Sequence, residues 1–304
     1  MNVVSIILTT YNSEKYLQKV IDSIDNQEGR DELFSIELIV VDDKSTDKTT
    51  EILAENNIPF ISTGANSGGP NKGRNIGLKK VSGEYICIMD HDDEWYPDKL
   101  ISQLPYLNKV PIVTSGYSII YHENHKIIDR VNIEKSNNSF ILYDKNFTFL
   151  SKLGKSKTGQ YTYMGSIIYK SELKDILFEE EFGMLDFDWL LKLFYNQVSV
   201  EVCKTLYRRN VHCSNLSLYE PYRINDFYFS LKTINKYSSK YPEIVQRGIK
   251  RIHGSMARYY YFIEDMEKAR SYFRKSALNL KNILYYITTF VGYRYIKNKF
   301  QVFG

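Results

Sequence analysis

Three aspartates, Asp90, Asp92 and Asp93, stand within four positions at the end of the apolar run Tyr85-Ile86-Cys87-Ile88-Met89. A strand interior cannot hold three carboxylates, so the run reads as a buried strand whose carboxyl end carries them. Carboxylates this close repel one another unless a cation lies among them. A hard divalent ion such as Mg²⁺ or Mn²⁺, bridged to the phosphate oxygens of a substrate, is the usual resolution. The blander reading is an acidic turn that ends a strand and starts the helical pattern from Lys99. The elements that precede it decide between the two.

Val3 to Leu8 is an apolar run broken only by Ser5, as in a strand buried on both faces. After the loop Thr9-Thr10-Tyr11-Asn12-Ser13, Leu17, Val20, Ile21 and Ile24 fall at helical spacing. They predict an amphipathic helix to about Gln27 with Ser13 as its N-cap. Ile36 to Val41 reads as a second buried strand ending in Asp42-Asp43-Lys44-Ser45-Thr46-Asp47. A helix to Asn56, a short strand at Pro59–Ser62, and a helix through Arg74, Asn75 and Leu78 follow. Strands alternating with helices predict right-handed βαβ units and a parallel sheet. The polar loops after the first, second and fourth strands then share one edge, where open α/β sheets bind ligands. No Gly-x-Gly-x-x-Gly follows the first strand and no Gly-x-x-x-x-Gly-Lys-Ser/Thr occurs, so neither dinucleotide nor P-loop chemistry is expected.

The 304 residues suit one large α/β domain with an appendage, and 43% hydrophobic and 25% charged content is that of an ordinary globular chain. Cys87, Cys203 and Cys213 are odd in number and lack metal-ligand spacing, which suggests a reducing compartment. No signal peptide and no run of roughly 20 apolar residues is found, so a cytoplasmic location is expected. Net charge is +4, but residues 247–304 carry 12 Lys/Arg against 3 Asp/Glu, so an acidic body bears a basic end.

Four motifs, in order, resemble the family 2 glycosyltransferases. They are Ser5-Ile6-Ile7-Leu8-Thr9-Thr10-Tyr11-Asn12, Val40-Val41-Asp42-Asp43-Lys44-Ser45-Thr46-Asp47, Gly73-Arg74-Asn75-Ile76-Gly77 and Met89-Asp90-His91-Asp92-Asp93. Together they cover roughly the first 100 residues. The resemblance implies a GT-A fold, Rossmann-like with a mostly parallel central sheet flanked by helices, and inverting transfer from a nucleotide-diphosphate sugar. It also implies a UDP-sugar donor held by Thr9, Tyr11, Asn12, Asp42, Asp43, Arg74, Asp90, Asp92 and Arg208. Tyr11 would stack on the base, Asp43 would accept from the uracil N3–H, and Asp42 would lie near the ribose. Arg74 would lie against the diphosphate, where a guanidinium suits it. Asp92 and, from the closing run Tyr207-Arg208-Arg209-Asn210-Val211-His212, His212 would hold Mn²⁺ or Mg²⁺, with Asp93 and His91 in support.

Pro111 to Tyr121, Lys126 to Ile133 and Thr162 to Tyr169 read as strands, residues 134–160 as a polar loop, and Gly165-Ser166 as an approach to the acceptor. Met184-Leu185-Asp186-Phe187-Asp188-Trp189 resembles the family segment that carries the general base at a helix head, with leucine at 185 where an acid is usual. Asp186 is in register as the base and Asp188 is the second choice. Two carboxylates in a first turn favoured by the helix dipole are compatible with either role.

The expected organisation is a catalytic domain over residues 1–218 and a helical, basic and aromatic region over 219–304. That region is read as helices packed on the catalytic domain, one pair of them tetratricopeptide-like. Its basic amphipathic end suits an anionic membrane surface, hence peripheral attachment at the inner face of the membrane. No base-reading module accompanies it, so no nucleic-acid partner is expected. The acceptor implied is a saccharide or lipid-linked saccharide in surface polysaccharide synthesis. A nucleotidyltransferase of related fold and a catalytically silent sugar-nucleotide-binding scaffold stay as alternatives.

Overall fold

The computed structural model describes residues 1–132, 139–156, 158–212, 220–291 and 293–294. Contacts divide the chain into two compact units, Met1–Phe149 with Gly159–Leu216, and Leu150–Thr158 with Ser217–Gly304. Cys213, the end of the strand expected to reach Ile133, and the expected domain boundary at 218 lie outside the described residues.

The strands of the first unit are β1 (Asn2–Thr10), β2 (Phe34–Asp42), β3 (Phe60–Ser62), β4 (Tyr85–Asp90) and β5 (Glu94–Trp95). They continue with β6 (Ile112–Tyr121), β7 (Lys126–Arg130), β8 (Phe140–Tyr143), β9 (Ile168–Lys170) and β10 (Ser199–Val211). They form one sheet in the order β3-β2-β1-β4-β9-β6-β10-β5, with β7 on β6 and β8 on β10. β1 to β4 are mutually parallel, as the alternating pattern predicts. β9 runs antiparallel between β4 and β6, so the sheet is mixed. The register sets Thr9 beside both Val41 and Asp90, and Thr10 beside Asp42. The carboxyl ends of β1, β2 and β4 are therefore level.

Helix α1 (Leu17–Asp25) buries Leu17, Val20, Ile21 and Ile24 against this sheet's core. Its cap position is Tyr16, not Ser13. The Ser13 hydroxyl instead accepts from the Tyr11 N–H, and its carbonyl accepts from the Tyr16 and Leu17 N–H groups. After α2 (Thr49–Glu55), helix α3 (Asn71–Leu78) comes unusually close to β1. A Cβ on Gly77 would stand 2.5 Å from Ile7 Cγ2, and one on Gly73 would stand 2.9 Å from Thr9 Cγ2. These two glycines bring Arg74 down to the strand ends. Helix α4 (Lys99–Gln103) follows β5.

Two expectations are corrected. The polar stretch 134–160 contains β8 and helix α5 (Phe147–Leu153). Both elements are short, four and seven residues, so periodicity has little length in which to register, and the pairing of β8 with β10 supplies what local pattern lacks. The run Thr162–Tyr169 is not one strand. Met164–Ser166 forms a 3₁₀ turn before β9. Helix α6 (Phe187–Phe194) precedes β10.

The second unit holds α7 (Glu220–Asn235), α8 (Pro242–Phe262), α9 (Met266–Arg274) and α10 (Leu280–Thr288). Asp265 caps α9 by accepting from the Lys268 N–H at 3.0 Å. Residues 150–158 run along α8. Arg251 donates to the Gly154 carbonyl at 2.8 Å, and any side chain at Gly248 would meet the Leu153 carbonyl. Among the described residues no helix is long and apolar enough to cross a membrane.

Candidate functional site

The acidic end of β4 is held by a small network that turns its three aspartates to different work. Asp93 is 1% exposed. One of its oxygens accepts from the Tyr163 hydroxyl at 3.0 Å and the Tyr207 hydroxyl at 2.8 Å, and the other from the Asn210 N–H at 2.7 Å. The Asn210 side chain also donates to the Asp92 carbonyl at 2.8 Å. The turn after β4 is thus tied to β10. Burial first, then the charges of Asp92 and Asp90, push the Asp93 carboxyl well above the usual carboxylate range. Asp92 is raised as well, by burial first. His91 and His212 oppose that rise and Asp90 adds to it.

Asp90 takes a different partner. Its carboxylate forms a 2.7 Å ion pair with Arg74, which is buried beneath the site and lies 5.2 Å from the Phe178 ring. Arg74 also donates to the Asn71 side chain at 2.9 Å, and Asn71 donates in turn to the Leu185 carbonyl at 2.9 Å. The backbone of Gly183 accepts from the Asn71 N–H, while Glu179 accepts from the Leu185 and Phe182 N–H groups. Asn75 adds bonds to Phe178 and Glu180. The segment 178–185 is therefore bolted to the start of α3, and a chain of three side-chain bonds runs from Asp90 to Leu185.

Asp186 follows at once, exposed at the head of α6. Asp188 is 2% exposed and pairs with Lys192 at 2.6 Å, one turn along the helix. The two carboxylates weighed from sequence thus face opposite ways, Asp186 outward and Asp188 into the packed side.

On the other flank of β1, Tyr11 is 40% exposed just past the strand end. Asn12, at φ +47°, accepts from the Thr46 N–H at 2.9 Å, a left-handed turn that asparagine tolerates. Thr9 is buried in the sheet edge. Asp42 accepts from the Thr10 hydroxyl at 3.0 Å and from the Ser45 N–H at 2.9 Å. Asp43 accepts from the Thr63 hydroxyl at 2.7 Å and the Ser67 N–H at 2.9 Å. Neither caps α2; Asp47, one residue before its cap position Lys48, accepts from the Thr49 N–H at 3.0 Å. The two aspartates hold the loops that rim this end of the edge.

β10 brings the basic and aromatic groups. Arg208 pairs with Glu94 at 3.0 Å and lies over Tyr96, so it belongs to the β5–β10 ribbon. The neighbouring Arg209 is 5.1 Å from the Tyr163 ring. Burial works against its charge. Tyr163, Asp93, Tyr117 and Asp90 outweigh that and hold its pKa raised, so Arg209 is a second guanidinium near the acidic cluster besides Arg74, which pairs with Asp90 directly. His212 is stacked between Tyr16 and His122, each at 4.4 Å. Burial first, then His122, lowers its pKa, while Asp92 raises it.

Gly165 and Ser166, expected at the acceptor approach, are both buried, and Gly165 lies against the Tyr207 ring. A Cβ on Gly165 would fall 2.1 Å from that ring, which has no space to retreat because its hydroxyl is held by Asp93. Gly165→Ala is expected to cost about 3 kcal/mol by overpacking, read as a lower melting temperature with an intact nucleotide site at low temperature. An unchanged melting temperature would mean that Tyr207 is not fixed there.

Among the described residues no three His, Cys, Asp or Glu side chains form a metal cage. Asp93 is committed to Tyr163, Tyr207 and Asn210, so the side chains that would hold a divalent ion are Asp92 and His212, whose charges act on each other. One or two protein ligands suit an octahedral ion whose remaining positions go to waters and substrate phosphates. The crowded carboxylates, their pKa values driven up by burial and by one another, are the second mark of such a site. The residues fit a divalent ion held jointly with a diphosphate.

Sequence reasoning missed Asn71, Asn75, Glu179, Tyr163 and Asn210, the residues that position the others. Asn75 and Asn210 stood inside quoted motifs, but neither was given a role there, and none of the five has a spacing that marks it.

A family model described as Glycosyl transferase family 2 matches residues 5–173. An uncharacterized glycosyltransferase of Haemophilus influenzae is 31% identical over 183 residues, 59% of this chain and 66% of that protein. One of Rickettsia typhi is 36% identical over 128 residues, 41% of this chain and 39% of that protein. These matches thus span about two fifths to two thirds of the relatives' length. Poly(ribitol-phosphate) beta-N-acetylglucosaminyltransferase TarS of Staphylococcus aureus is 41% identical over 93 residues, 29% of this chain and 16% of that protein. The crystal structure of residues 1–349 of TarS with UDP-GlcNAc superposes with a TM-score of 0.63 at 20% identity, covering 97% of this chain and 92% of that one.

Proposed function

Since the chain belongs to glycosyl transferase family 2 and has the GT-A fold, we propose that it moves a hexose or N-acetylhexosamine from a UDP-sugar to a saccharide hydroxyl, with inversion. The observation that carries this reading is Asp186, exposed at the head of α6 and linked through Leu185, Asn71 and Arg74 to the acidic end of β4. A base and a diphosphate site on one rigid frame are what a single displacement needs.

In this reading Tyr11 stacks on the uracil, with Asp43 and Asp42 shaping the uridine end of the edge. Asp186 accepts the proton of the acceptor hydroxyl. The oxygen bonds to the anomeric carbon from the face opposite the diphosphate, and the bond to the diphosphate oxygen breaks as UDP leaves. Arg209 places positive charge beside the site where negative charge builds on that group. A divalent ion held by Asp92 and His212 would add to that charge stabilisation. TarS, solved with UDP and with UDP-GlcNAc, supports UDP as the nucleotide. The activity of TarS on poly(ribitol-phosphate) supports a hydroxyl-rich surface polymer as the acceptor class.

A panel of nucleotide sugars, each with and without Mn²⁺, tests the reading. Slow release of UDP from one UDP-sugar is expected, increased by Mn²⁺. Release of pyrophosphate from a nucleoside triphosphate and a sugar phosphate would make the chain a nucleotidyltransferase. UDP-sugar binding without turnover in the presence of any hydroxyl-rich acceptor would make it a scaffold.

A further inference from the structure

Helix α10 is built the wrong way round for a helix of a water-exposed unit. Its inner face carries Asn282 and Tyr285. Asn282 donates to the Ala277 carbonyl at 2.9 Å and accepts from Arg258 at 3.1 Å, and Tyr285 packs 4.8 Å from Tyr261. Leu280, Ile283, Leu284 and Ile287 are all exposed, Leu280 at 74% and Ile287 at 59%. At about 100° per residue these four fall within an arc of about 100°, opposite Asn282 and Tyr285. Leu278, just before the helix, is 89% exposed. Four aliphatic side chains in one exposed stripe form a patch of the kind that marks an interaction surface.

The charge around the stripe selects the occupant. Among the described residues from Lys268 onward there are six Lys/Arg and no Asp/Glu. Lys275 is exposed, and Lys281 lies on the flank of the stripe, 5.9 Å from the Tyr285 ring. An open cleft of about 300 Å³ adjoins it, lined by Arg274, Leu278, Ile283 and Tyr286 among others. Arg274 donates to the Tyr286 hydroxyl at its rim at 3.3 Å. An apolar stripe with basic flanks and tyrosines at its margin is the pattern of a helix that lies in a lipid interface.

We propose that the second unit docks on an anionic phospholipid bilayer through the exposed stripe of α10, its aliphatic side chains entering the acyl boundary and its basic residues meeting the headgroups. The inference is independent of the sugar-transfer reading, since none of these residues belongs to the candidate site.

The test is flotation of the whole chain with vesicles of phosphatidylcholine alone or mixed with phosphatidylglycerol. The protein should float with the anionic vesicles and not the neutral ones, and high salt should release it. Leu284→Glu with Ile287→Glu should abolish flotation. Lys275→Glu with Lys281→Glu should lower the partition about fivefold or more per residue. All four positions point away from the packed core or flank it, and equal melting temperatures check that each variant folds. Equal flotation on neutral vesicles, no flotation on either, or variants that float like the parent would each overturn the proposal. So would a parent that sediments as a dimer and a Leu284→Glu, Ile287→Glu variant that sediments as a monomer, with flotation unchanged, because the stripe would then be a contact between copies.

Discussion

Asp186→Asn is expected to bind UDP with Mn²⁺ as the parent does and to lose transfer by about 10²–10⁴-fold, the contribution typical of a positioned general base. Residues two apart at a helix start point about 200° apart, so only one of Asp186 and Asp188 can face the cleft. Asp186 is the exposed one, and the first turn of α6 favours its ionised form. Asp188 is buried and paired with Lys192, which is half-exposed. Asp188→Asn should therefore keep most of its turnover per folded molecule and lose about 1–2 kcal/mol of stability, a melting temperature lower by about 2–8 °C. Single-turnover transfer and thermal melting of the two variants separate the roles. An active Asp186→Asn beside a folded but inactive Asp188→Asn would move the base to Asp188.

The second large effect divides Asp92 from Asp93. Asp92→Ala should fold normally, and calorimetry with UDP should lose the part of the affinity that depends on Mn²⁺. Asp93→Ala should instead damage the fold. It would leave the hydroxyls of Tyr163 and Tyr207 and the N–H of Asn210 without their acceptor in a buried place. Each orphaned donor costs about 1–3 kcal/mol. Relief of the repulsion from Asp92 and Asp90 offsets part of this, so about 3 kcal/mol is expected, a melting temperature lower by about 6–12 °C. Mn²⁺-dependent UDP affinity surviving intact in Asp92→Ala would remove that carboxylate from the metal. A normal melting temperature for Asp93→Ala would remove Asp93 from the structural network.

The first half of the sheet was legible because its signal is local. The runs at Val3–Leu8, Ile36–Val41 and Tyr85–Met89 are buried on both faces, and each ends in polar residues that cannot enter a sheet. That alone placed Thr9, Asp42, Asp43 and Asp90 on one edge. Helical spacing at 186–188 likewise turns the two carboxylates in different directions, and the burial of Asp188 against Lys192 shows which of them is packed.

Which arginine of β10 turns toward the acidic end of β4 was not legible. Neighbouring residues in a strand face opposite sides, and β10 shifts register against β6 between Val202 and Thr205 and again between Thr205 and Tyr207. Each irregular residue reverses the alternation, so no count along Leu206-Tyr207-Arg208-Arg209 could show that Arg208 turns to Glu94 and Arg209 to Tyr163. The same holds for Asn71, Glu179 and Asn210, whose partners lie more than 100 positions away in the chain. The sequence by itself determined the elements and the edge, because apolar periodicity acts over a few residues. The tertiary structure alone decided which side chains meet there, because hydrogen bonds between distant segments depend on register and packing that no local pattern encodes.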